Sequence, residues 1–209
     1  MKLICLNRKI KVSAVRNRMD VIKIVIKACE FIIDEQYSIC EHIRDVKDKS
    51  FIYMDKMKRI VISTENQLFS IGFPFNVDID NVKITYLNNT ITINNHILSV
   101  IESLINVLDE RCSIEEILEK IWEDEGFEQA SDAEKYAICT LITVLLSYEV
   151  GYIRYDYDDV HENGKLHPLN HFDVNYSTNT TYKIGANKKL DIELFLKLLD
   201  ITSECLYLH

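Results

Sequence analysis

A chain of 209 residues, 47% of them hydrophobic and 10% aromatic, has enough apolar side chains for one ordinary core or two small ones, which excludes a disordered chain. Its formal net charge of −9 argues against general nucleic-acid binding, and no stretch reaches the roughly 18 uninterrupted apolar residues of a membrane span. The opening Met1–Leu6 is too short for a signal peptide, and the six scattered cysteines show no C-x-x-C spacing, so no disulfide framework or zinc knuckle is expected and a reducing cytoplasm is the expected location.

Residues 1–15 alternate loosely, as a strand or a basic arm would. From Arg16 to Val46 no Gly or Pro intervenes, and Ile22, Ile26, Cys29, Ile33, Ile39 and Ile43 recur at helix-like steps. The run Val21–Ile26 also suits a strand, being rich in β-branched residues, but the length favours a helix of about 25–30 residues. Residues 1–60 hold 14 Lys/Arg against 8 Asp/Glu, so this basic N-terminal segment suits an acidic partner or phosphates, beside the plainer reading of surface lysines on a solvated helix.

Ser50–Met54, Lys58–Ser63 and Gln67–Gly72 then read as short strands, closed by Pro74. Residues 82–87 and 90–93 flank Asn88-Asn89, a pair that tolerates positive φ and signals a hairpin. Three helices follow, over 95–110, from Ser113 and from Ser131. The last two open on S-x-x-E, in which the Ser side chain and the Glu satisfy backbone donors reciprocally. Gly126 is expected to loosen the end of the second. An aromatic strand follows at 152–157, then a polar connection over 158–170. A hairpin at 171–176 and 182–185 and a short helix at 190–199 close the pattern.

The order hairpin, three helices, closing strand, with the residues Leu104-Ile-Asn-Val-Leu-Asp-Glu-Arg-Cys-Ser-Ile-Glu-Glu-Ile-Leu-Glu-Lys-Ile121 and Leu141-Ile-Thr-Val-Leu-Leu-Ser-Tyr-Glu-Val-Gly-Tyr-Ile153, resembles the winged-helix modules of bacterial accessory proteins. These are the PqqD-like peptide-recognition elements and the middle subunits that accompany SMC-type ATPases. The resemblance covers residues 82–157 and consists of apolar spacing and caps, with no catalytic residue in it. It implies a winged helix. Over residues 81–160 five basic residues face 16 acidic ones, so a module of this charge would repel a duplex and is expected to bind polypeptide instead, beside the plainer reading of a three-helix unit that only packs.

Chemistry-bearing side chains converge in one place, His167-Pro-Leu-Asn-His171-Phe-Asp173. On a strand His171, Asp173 and Asn175 share a face, while Pro168 keeps His167 extended, in a loop that also carries His161. Two imidazoles and a carboxylate, His167, His171 and Asp173, are ligands suited to zinc or another divalent metal, with a position left open for catalysis. A second arrangement pairs His171 and Asp173 with Lys183 on the facing strand, as an acid/base set for a phosphodiester. A third makes His171 and Asp173 a polar face that only fixes the hairpin's register.

The expected fold is α+β: a long N-terminal helix with a small antiparallel sheet (1–80), a winged-helix-like centre (81–160) and a C-terminal β-hairpin plus helix carrying the His/Asp face (161–209). The expected role is a non-enzymatic accessory subunit of a bacterial multi-component system, of a defence or SMC-associated kind, with a protein partner, no cofactor and no membrane. The basic N-terminal helix and Leu190–Leu208 are its expected contact elements. The alternative is a small metal-dependent hydrolase or nuclease using His167, His171 and Asp173.

Overall fold

Residues 2–11, 14–54, 58–88, 90–108, 112–177 and 179–205 are described by a computed structural model, in which the chain is an α+β protein. Two compact units interleave along it, one made of Met1–Lys11, Tyr37–Phe73 and Val150–His209, the other of Val12–Gln36 and Pro74–Glu149. This grouping differs from the sequential division at 80/81 and 160/161, because strands distant in sequence pair with one another.

The first unit is built on eight antiparallel strands. They are β1 (Lys2–Leu6), β2 (Tyr37–Cys40), β3 (Ser50–Met54), β4 (Lys58–Ser63), β5 (Gln67–Gly72), β9 (Ile153–Tyr157), β10 (Asn170–Val174) and β11 (Tyr182–Gly185), the three strands between Gly72 and Ile153 belonging to the second unit. Their spatial order is β11-β10-β9-β5-β4-β3-β1-β2. Since side chains alternate across a strand, one face gathers Leu3, Phe51, Val61, Leu68, Tyr155 and Phe172. Helix α6 (Ile192–Leu199) packs Phe195, Leu196 and Leu199 against that face, and the 3-10 turn Ile43–Val46 adds Val46. At about 25 cal/mol per Å² of apolar surface, this burial is the main stabilising contribution to the unit. Cys5 and Cys40 are joined in a disulfide across β1 and β2, with Cα atoms 6.2 Å apart. This corrects the expectation of unbridged cysteines. Thirty-five residues separate the pair, and the β1–β2 register, with Cys40 opposite Leu3 and Cys5 opposite Ser38, makes them diagonal neighbours on one face.

The second unit holds α1 (Arg18–Ile33), the three-stranded sheet β6 (Asn76–Asp78), β7 (Lys83–Tyr86) and β8 (Ile91–Ile93), and the helices α2 (Asn95–Val107), α3 (Ile114–Glu123), α4 (Glu125–Gln129) and α5 (Asp132–Ser147). Asn17 caps α1 by accepting from Asp20 N. Both S-x-x-E openings form capping boxes, Ser113 with Glu116 and Ser131 with Glu134. The hairpin of β7 and β8 turns through Leu87 and Asn88, both at positive φ; Asn89 lies outside the described residues.

Three further expectations are corrected. Helix α1 ends at Ile33 and does not continue to Val46: Glu35 adopts φ 55°, and Gln36 N closes onto Phe31 O at 2.7 Å, a left-handed cap that stops the helix. The chain then leaves as β2, drawn into the sheet by β1. Gly126 sits inside the short α4, where a Cβ would meet Val100 Cγ2 at 2.8 Å, so close packing and not helix fraying accounts for it. Third, the strand expected to follow the third helix as a wing, β9, pairs with β5 and β10 in the eight-stranded sheet.

Candidate functional site

The face of the eight-stranded sheet opposite α6 changes character along its length. Over β1, β3, β4 and β5 it carries Ile4, Ile52, Ile60, Ile62, Phe69 and Ile71, all buried. Over β9, β10 and β11 it carries ionisable groups. The register sets Phe69, Arg154, Asp173 and Lys183 in one row across four strands, and Gln67, Asp156, His171 and Gly185 in the next. Two rows, two residues apart on each strand, therefore bring five ionisable side chains onto one patch.

His171, Asp156 and Asp173 are buried, the imidazole to 1% exposure. Lys183 Nζ donates to Asp173 Oδ1 at 2.7 Å and to His171 Nε2 at 2.9 Å. Arg154 Nε donates to Asp156 Oδ2 at 2.8 Å, and Arg154 Nη2 reaches both Asp156 Oδ2 and Asp173 Oδ2. Gln67 Nε2 donates to Asp156 Oδ1 at 2.9 Å. The two carboxylates are thus matched by one guanidinium and one ammonium. Burial raises the Tyr152 phenol above its usual range, against the opposing pull of the Arg154 charge beside it.

His171 Nδ1 lies 2.8 Å from Pro168 O, an oxygen that can only accept. The proton therefore sits on Nδ1, and Nε2 presents its lone pair to the Lys183 ammonium. Pro168 is accommodated because Gly185 lacks a side chain; a Cβ there would come to 3.3 Å of Pro168 Cγ. From the other side of the sheet, Tyr155 donates to Asn170 Oδ1 at 2.6 Å and accepts from Leu190 N at 3.0 Å. These bonds fix the start of β10, immediately before His171.

Three of the residues singled out from sequence, His171, Asp173 and Lys183, meet here. His167 does not join them as a ligand. Its ring lies against His171, centroids 4.6 Å apart, while its Nδ1 bonds His161 O at 2.6 Å. Among the described residues the group able to hold a metal ion is Asp156, His171 and Asp173, whose ligand atoms lie within 4.8 Å of one another. Arg154, Asp156 and Gln67 were missed by sequence reasoning. The signal was the alternation Arg154-x-Asp156 inside a strand that otherwise reads as core.

The chain matches no known protein family, and no curated protein or solved structure matches it. Among the described residues no helix is long and apolar enough to cross a membrane.

Proposed function

We propose that the chain is a hydrolase of a phosphate ester, worked by the polar face of β9, β10 and β11. The observation that carries this reading is the Lys183 ammonium seated between Asp173 Oδ1 and His171 Nε2. Burying charges costs several kcal/mol per ion, and alternating Val or Ile would complete a sheet face without that cost, so a buried ionisable cluster is better accounted for by chemistry. Its least buried members are cationic: the side chains of Lys183 and Arg154 are 36% and 25% exposed. An anionic substrate fits donors that face outward. Lys183 Nζ leaves His171 Nε2 for the phosphoryl oxygens, and the freed Nε2 takes a proton from the attacking water as its oxygen bonds phosphorus. The bond from phosphorus to the leaving oxygen breaks with that oxygen protonated by Lys183, and Asp173 with Arg154 and Asp156 positions both groups.

Asp156, His171 and Asp173 are also the donor set for zinc or a similar divalent ion, which would take the seat of the ammonium once Lys183 swings aside. Purified chain, incubated with bis(p-nitrophenyl) phosphate and with single-stranded RNA and DNA oligonucleotides, tests the proposal. We expect His171→Ala and Lys183→Ala to lose roughly 10²–10⁴-fold in rate with an unchanged circular dichroism spectrum. Loss of activity with a chelator, together with stoichiometric metal by element analysis, assigns the metal-dependent version. No turnover of any of these substrates by the unaltered chain sinks the reading.

A second reading concerns the other unit. We propose that it binds polypeptide, as an accessory subunit would. The order β7, β8, α2, α3, α4, α5 supports the winged-helix resemblance for this unit, with the short α4 inserted and without its closing strand. Over residues 112–149 ten Asp/Glu stand against two Lys, a balance that disfavours phosphate contact. Salt-sensitive binding of the chain to plain duplex DNA would overturn it.

A further inference from the structure

Helix α3 buries little. Ile121 faces inward, while Leu118 and Trp122, one turn apart on the same side, are 47% and 68% exposed. Trp122 is the chain's single tryptophan. It is not loosely placed: the buried Phe127 of α4 meets it edge to face, with centroids 5.3 Å apart and planes at 87°. A large ring held by its neighbour and still open to solvent loses little side-chain freedom on binding, the property that makes tryptophan a binding hot spot.

The surroundings of this stripe specify the charge of what covers it. Glu115 and Glu119 precede Leu118 and Trp122 by one turn, and Glu123 follows; all three are exposed. Of the two lysines of the region, Lys120 Nζ donates to Val107 O at 3.1 Å, and Lys135 Nζ lies over the ring of Phe127, the neighbour of Trp122, at 5.8 Å. The stripe therefore presents an apolar ridge walled by carboxylates.

We infer that the Leu118–Trp122 face of α3 docks a basic, amphipathic helical segment of a partner protein, whose leucine-like residues cover the ridge and whose Lys or Arg side chains meet Glu115, Glu119 and Glu123. This rests on the polypeptide-binding reading of the unit and adds to it the place and the partner's charge. A cation set over the indole adds attraction of a kind no acidic or neutral segment supplies.

The full chain is titrated with two 18-residue helical peptides that lack tryptophan and share one leucine spacing, one with Lys and one with Glu at the polar positions. Trp122 emission reports the site and calorimetry gives the affinity. We expect the Lys peptide to bind saturably, to shift the emission to shorter wavelength and to weaken with added salt, with the Glu peptide inert. Trp122→Ala should reduce affinity roughly tenfold or more by calorimetry. Glu119→Lys, a change at an exposed position that keeps the tryptophan reporter, should weaken binding and reduce its salt dependence. Binding of the Lys peptide with unchanged emission and full affinity in Trp122→Ala overturns the assignment of this face and leaves the polypeptide-binding reading standing. No binding overturns both, whereas equal binding of both peptides overturns the inference and leaves the polypeptide-binding reading standing. An emission shift that follows the chain's own concentration identifies a second copy as the occupant and also overturns the inference.

Discussion

Strands β9, β10 and β11 present two faces made from alternate residues of the same backbone. One carries Tyr155, Phe172 and Ile184 beneath α6, joined by the tilted Tyr155–Phe172 ring pair at 5.5 Å. The other carries Arg154, Asp156, His171, Asp173 and Lys183. The first face is stable because water is excluded from carbon; misplacing one side chain there leaves a cavity. The second tolerates burial only while every charge keeps its partner, so it depends on the whole set. Neighbours in sequence such as Phe172 and Asp173 therefore act through different physics at 9% and 7% exposure.

The comparison is broken or sharpened most strongly by that adjacent pair. Asp173→Ala takes the carboxylate from Lys183 and leaves Arg154 with Asp156 alone, and should destabilise by about 3 kcal/mol, the low end for a broken buried pair because both cations are partly exposed. Phe172→Ala should destabilise by a similar amount, about 3–5 kcal/mol, through its cavity. Urea unfolding of the two variants checks that similarity. Hydrolysis separates them, since Phe172→Ala should keep measurable turnover under folding conditions and Asp173→Ala should not.

A smaller effect of opposite sign tests whether the polar face is there for packing. Replacing Arg154, Asp156, Asp173 and Lys183 together by apolar residues of similar volume should leave stability unchanged or raise it by about 1–4 kcal/mol, while abolishing hydrolysis. A large loss of stability in that variant would show the cluster to be structural.

The smallest expected effect comes from a carboxylate outside the sheet. The Glu134 carboxyl is held down to about 2 by His96 Nδ1 and then by Ser131, in the capping box of α5. Its folded value lies below its ordinary value of 4.5, so its stabilising contribution is present above the ordinary value and is lost as pH falls from there toward 2. In denaturation profiles, the difference between the unaltered chain and Glu134→Gln should be level at neutral pH and shrink over that acidic window. A difference that grows on acidification would refute the assignment.

Much of the site was legible. The alternation His171-x-Asp173 indicates one face, and the hairpin expected from 171–176 and 182–185 sets Lys183 on the facing strand, where the register pairs it with Asp173. Arg154 and Asp156 do not stand out in the sequence, because their strand follows the third helix where a winged helix has its closing strand. Its tyrosines also made it read as core, as Tyr155 indeed is. His167 was grouped with His171 by spacing, yet its loop turns Nδ1 to the His161 carbonyl.

The sequence by itself determined what depends on a few neighbouring residues: the strands at 50–54, 58–63 and 67–72, the capped helices, the hairpins and the sharing of a face by every second residue. Only the tertiary structure decided which strands lie side by side, where α1 yields to β2, and that Cys5 finds Cys40. The same holds for the polar patch, since Gln67 meets Asp156 across 89 residues of chain. Local periodicity says which way a side chain points, but not which distant backbone stands opposite it, because that choice is made by the burial of the whole sheet.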